Sequence, residues 1–134
     1  MYLCLDIGQK YTGVCKITDS GDLFYAKKIL NSEVLKIEVE STDCVLIEFT
    51  DSVHGKIGNT TVDTIFWIGR IYQHFKTRYV FVNLIGRKEV LKALACKKDA
   101  DVVKLLKGNV KSINNTKLVA DCWQAYALYK TFKL

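Results

Sequence analysis

Proline is absent from this 134-residue chain. No proline-rich linker, internal repeat or low-complexity segment interrupts it. Arginine is scarce, at three residues against seventeen lysines. That balance argues against base readout, because lysine neutralises phosphate but reads shape poorly. The five cysteines, Cys4, Cys15, Cys44, Cys96 and Cys122, include no C-x-x-C pair and no Cys/His pair at zinc spacing. They read as buried, reduced thiols, a reading preferred over disulfides or a metal site. No apolar run is long enough to cross a bilayer. Asp6 breaks the first apolar run, which argues against a secretory leader. The expectation is a cytoplasmic or nucleoid-associated protein with no membrane partner.

Apolar residues make up 49% of the chain, enough for a substantial core. At this length, residues 1–134 are expected to form one domain. The net charge of +6 is unevenly spread. Residues 1–75 carry seven Lys/Arg against ten Asp/Glu, while residues 76–117 carry eleven against three. A basic segment of this kind suits a polyanion, although lysine is also an ordinary surface residue.

Three strands are expected over residues 2–7, 12–18 and 22–29, joined by Gly8-Gln9-Lys10 and Asp19-Ser20-Gly21-Asp22. Connections so short require an antiparallel meander. Residues 31–41 are ambiguous. Ser32-Glu33-Val34-Leu35 suits a short helix, while Ile37 and Val39 alternate like a strand. Residues 43–49 read as a buried strand and 50–59 as a loop. Thr60 or Thr61 is placed to cap a helix ending near His74. Its apolar positions are wider than one core-facing stripe. Either it is buried on several sides, or the face near Phe66, Trp67 and Arg70 packs on a second subunit. A strand over 79–83 and helices over 87–95, 99–107 and 117–132 complete the pattern. The fold class is α/β, a mixed sheet of three antiparallel strands followed by two parallel strands, with helices on both faces. The first strand, apolar on both faces, is expected at its centre.

Three acids stand out. Asp6 ends the first strand in Leu3-Cys4-Leu5-Asp6-Ile7-Gly8, and Glu48 sits near the end of Val45-Leu46-Ile47-Glu48-Phe49. Asp121 opens the last helical segment. If the two strands are parallel neighbours, their carboxylates lie side by side at the edge where such sheets bind ligands. Like charges this close repel, and a divalent cation removes the conflict. An oxygen-only set favours Mg²⁺ or Mn²⁺ over zinc, and two such ions suit phosphodiester hydrolysis. The plainer alternatives are a phosphate-binding loop around Asp6, a solvated strand end at Glu48 and a helix-dipole role for Asp121.

In Leu5-Asp6-Ile7-Gly8, Thr12-Gly13-Val14, Leu46-Ile47-Glu48 and Asp121-Cys122-Trp123-Gln124-Ala125-Tyr126-Ala127-Leu128, the chain resembles the RuvC family of Holliday-junction resolvases, above all its small phage and viral forms. The resemblance covers nearly the whole length. It implies an RNase H-like fold and a homodimer that cuts four-way DNA junctions with Mg²⁺ in recombination, the dimer contact falling on helix 60–75. It implies Asp6, Glu48 and Asp121 as metal ligands and catalytic residues, and Lys88, Lys92, Lys97, Lys98 and Lys104 along the DNA. The family's fourth acid falls on Gln124, an amide that is a weaker ligand and no general base. Asp51, Asp99 or Asp101 are candidates to replace it. Gly8-Gln9-Lys10 also fits the YqgF family, which implies an RNase of ribosomal RNA processing. A non-catalytic nucleic-acid binding module is a third reading. The Asp6-to-Gly13 pattern also occurs in actin-type ATPases, but this chain lacks the length for their two lobes.

Overall fold

The computed structural model describes residues 1–49, 58–109 and 120–134. The expected loop 50–59, with Asp51, and the expected start of the last helix at 117 lie wholly or partly outside the described residues. Five strands form one sheet: β1 (Tyr2–Ile7), β2 (Tyr11–Ile17), β3 (Leu23–Leu30), β4 (Cys44–Phe49) and β5 (Phe81–Gly86). Their order is β3-β2-β1-β4-β5, so β1 is central. β1, β2 and β3 pair antiparallel, while β4 runs parallel to both β1 and β5.

The period-two alternation of strand side chains divides the core between the two faces of the sheet. Cys4, Cys15, Ile17, Leu46 and Ile85 point to one face. There they meet α3 (Arg87–Ala93), α4 (Asp99–Asn109) and α5 (Ala120–Phe132). Leu3, Leu5, Ile7, Val14, Val45 and Ile47 point to the other. There they meet α1 (Asn31–Val34) and α2 (Asn59–Lys76). The helices therefore do cover both faces. α5 is buried over nearly its whole length because it lies between the sheet and α3 and α4.

Several boundaries differ from expectation. The stretch after β3 makes a one-turn helix and no strand. Ile37 and Val39 instead lie partly buried against the core. Asn31, expected only as connector, is 1% exposed and ties down the first hairpin. Its side chain accepts from Thr12 Oγ1 at 2.6 Å and donates to the Gly8 carbonyl at 3.0 Å. α2 begins at Asn59, with Gly58 at the cap position and no side-chain cap, so neither Thr60 nor Thr61 caps it. α3 stops at Ala93, two residues before Ala95 turns to a positive φ of 54°.

Candidate active site

The parallel register of β1 and β4 runs from Tyr2 opposite Cys44 to Leu5 opposite Ile47. The next residues along the two strands are Asp6 and Glu48. Both share the side-chain parity of Cys4 and Leu46, so both point to the face that carries α5. On the other side of β1, Asp6 pairs with Gly13 of β2. A Cβ at Gly13 would fall 2.7 Å from Asp121 Cβ and closer still to the Asp121 backbone. Gly13 therefore lets the first turn of α5 settle directly on β2. Cys15 Sγ, two residues on, donates to the Cys122 carbonyl at 3.0 Å and fixes the same crossing. This sets Asp121 above the strand ends that hold Asp6 and Glu48.

The three acids line one cavity of about 260 Å³, together with Gly8, Tyr11, Arg87, and Thr64 and Ile68 from α2. A larger hollow of about 700 Å³ lies at the opposite end of the sheet, among Lys16, residues 35–40 and Arg78. It has mixed charge and holds none of the three acids.

Burial, followed by the charges of Glu48 and Asp121, pushes the Asp6 carboxyl up to about 8. Arg87 works in the opposite direction, and Asp99 adds to the rise. Repulsion within a carboxylate cluster has this effect. Two cations relieve the other acids. Lys28, which pairs with Gly13 across β2–β3, places Nζ 2.8 Å from Asp121 Oδ2. That contact raises the Lys28 pKa. Arg87, the first residue of α3, donates through Nε to Glu48 Oε1 at 2.5 Å and through Nη1 to Asp99 Oδ2, and its Nη2 makes an ion-pair contact with the same Glu48 Oε1 at 2.5 Å. Burial disfavours the arginine's charge, but the neighbouring Glu48, Asp99 and Asp6 outweigh it and raise its pKa.

The donor set fits a hard divalent cation in its chemistry, since Asp6, Glu48 and Asp121 supply only oxygen. Among the described residues, however, no three acidic, histidine or cysteine side chains stand close enough together to coordinate an ion as they are. Lys28 and Arg87 lie against two of the three acids. A bound ion would need them to yield those carboxylates.

Gln124 does not reach the cavity. It is 6% exposed, and its Nε2 donates to the Asp99 carbonyl at 3.2 Å. It thus holds the start of α4 against α5. Asp99 lies beside the site through Arg87. Asp101 accepts instead from the backbone N–H groups of Lys97 and Lys98, at 3.3 Å each. Lys88, Lys92, Lys97, Lys98 and Lys104 lie on α3, α4 and the turn between them, and none forms an ion pair with another described residue. Arg87 and Lys28 were not anticipated from sequence. Arg87 did carry a signal, as one of only three arginines and the residue directly after a strand that ends beside Glu48.

No protein-family model matches the sequence, and no curated protein matches it. Solved structures do match. RuvC of T. thermophilus in complex with a Holliday junction substrate aligns at a TM-score of 0.64 and 16% identity, over 97% of this chain and 90% of that one. A second Thermus thermophilus RuvC structure gives 0.64 and 15%, over 98% and 94%. The Fowlpox virus resolvase in complex with Holliday junction DNA gives 0.50 and 13%, over the whole of both chains. The chain thus has the RuvC-like, RNase H-like fold along almost its full length.

Proposed function

We propose that this protein is a metal-dependent, structure-selective endonuclease that cleaves Holliday junctions or similar branched DNA by phosphodiester hydrolysis. One observation carries the reading: Asp6 and Glu48 end adjacent parallel strands on one face, and Gly13 lets Asp121 descend onto the same cavity. The fold shared with two junction-bound resolvases supports the choice of substrate.

In this reading Asp6, Glu48 and Asp121 hold Mg²⁺ or Mn²⁺. When bound, the cation activates the attacking water and stabilises charge on the phosphate. The residues of the chain do the rest. Asp6 gives up its proton and binds as carboxylate. Lys28 releases Asp121, and Arg87 releases Glu48. The lysines of α3 and α4 neutralise the DNA backbone beside the cavity. Hydrolysis forms a bond from water oxygen to phosphorus and breaks one P–O ester bond, and the leaving oxygen takes up a proton.

A second copy of the chain is proposed to dock on α2. Ile68, Ile71 and Phe75 of this helix face the sheet. Val62, Ile65 and Phe66 are exposed, Phe66 at 64%. Arg70 stacks on Trp67, 4.9 Å from the ring centre, at the rim of this patch. A two-fold pair of such stripes places one site in each subunit, as symmetric cutting of a junction requires.

The ion pairs of Lys28 with Asp121 and Arg87 with Glu48 favour one rival, a binding module whose acids are neutralised internally. A cleavage assay separates the two readings, comparing four-way junction, flap, duplex and structured RNA with Mg²⁺ and Mn²⁺. The nuclease reading expects metal-dependent cutting of the junction that is lost in Asp6→Asn and Glu48→Gln, while junction binding survives. Binding without cutting under either metal selects the binding module, and cutting confined to RNA selects the YqgF-like RNase.

A further inference from the structure

The cavity contains a cation of its own. Arg87 lines it, and all three of its guanidinium nitrogens are engaged: Nε by a hydrogen bond and Nη2 by an ion-pair contact with Glu48 Oε1, and Nη1 by a hydrogen bond to Asp99 Oδ2. Asp99 is itself fixed, because Gln124 holds its backbone carbonyl. The residue that stands at the expected place of a fourth acid therefore positions the residue that aims the arginine. We propose that this site works with one divalent ion together with Arg87, the guanidinium serving the scissile phosphate where a second ion would otherwise sit. The inference rests on the nuclease reading and specifies its chemistry.

Geometry supports it. When Glu48 turns to an ion, Nε and Nη2 are released together as a planar fork, while Nη1 stays on Asp99. Such a fork matches two oxygens of a phosphate. Arg87 is then a catalytic residue in contact with substrate, and Asp99 and Gln124 are positioning residues acting through it.

The test is a calorimetric titration of Mn²⁺ into the metal-free, full-length chain, run beside the junction cleavage assay. Wild type should take up one Mn²⁺ per chain, and Asp6→Asn should abolish the uptake. Arg87→Gln should bind Mn²⁺ about ten-fold more tightly, because the competing cation is gone, yet cut the junction roughly a hundred-fold more slowly at saturating metal. Arg87→Lys should recover only part of that rate. Asp99→Asn should slow the maximal rate with the one-ion stoichiometry unchanged. Two ions of similar affinity in wild type overturn the proposal, as does an Arg87→Gln variant that binds metal and cuts as wild type does. Two ions with normal cutting sink this inference and leave the nuclease reading intact. One ion, tightened by Arg87→Gln, with no cutting of any nucleic acid sinks the nuclease reading and, with it, the role of Arg87 toward a scissile phosphate.

Discussion

Asp6 holds its proton far above the ordinary carboxylate range, and that has a measurable cost. Its carboxyl is raised from 3.8 to about 8, first by burial and then by Glu48 and Asp121. A carboxyl raised in the folded state contributes stability below its unfolded pKa and loses it as pH climbs to the folded value. The metal-free protein should therefore lose stability between about pH 4 and pH 8 through this residue. Asp6→Asn should remove that part of the loss, so its melting temperature should exceed that of wild type by several degrees at pH 8 and match it near pH 4. Mg²⁺ should narrow the gap by stabilising wild type alone. A variant no more stable than wild type at pH 8 would refute the crowding of charge at Asp6. Gly13 gives a second prediction at this scale. An added methyl collides with the Asp121 backbone, which is not a flexible side-chain end. Gly13→Ala should push α5 off β2, destabilise the chain by roughly 1–3 kcal/mol and weaken Mn²⁺ binding, both readable from melting and titration. Asp6 and Glu48 were legible in sequence because acids inside apolar strands are conspicuous. Arg87, Lys28 and the role of Gln124 were not, since each depends on a long-range contact, at a separation such as the 39 residues between Glu48 and Arg87.

At the scale of elements, strand order and direction were readable because short turns dictate antiparallel pairing and a strand-helix-strand unit dictates a parallel one. The ends of the helices were less so. Capping residues such as Thr60 were present, but the helix starts at Asn59 without using them. The apolar breadth of α2 left two readings open, and burial now divides its apolar positions. Ile68, Ile71 and Phe75 pack inward, while Val62, Ile65 and Phe66 face out. The proposed dimer is tested on the outer stripe. Phe66→Asp should leave the folded monomer within about 0.5 kcal/mol of wild type, since an exposed residue far from special features carries little of the stability. The same change should convert a dimer into a monomer in sedimentation equilibrium. A wild-type chain that is already monomeric at tens of micromolar would remove the dimer and the paired cut with it.

Across the whole molecule, negative charge gathers at one cavity, and a lysine-rich stretch follows Arg87 at its edge. Three acids converge on the cavity at the carboxyl ends of β1 and β4, and five lysines lie on the helices and turn that follow β5. The charge imbalance of residues 76–117 was visible in the sequence, but the packing of α3 and α4 on the same face of the sheet as α5 was not. If these lysines meet phosphates, junction binding must release counterions and weaken steeply with salt. Replacing Lys88, Lys92, Lys97, Lys98 and Lys104 with glutamine should reduce the slope of log affinity against log salt by about 0.9 for each phosphate no longer neutralised. Mn²⁺ uptake by the same variant should not change, because none of the five forms an ion pair with Asp6, Glu48 or Asp121. An unaltered slope would move the DNA to another surface, and with it the assignment of the basic segment as the track along which a junction arm approaches the acids.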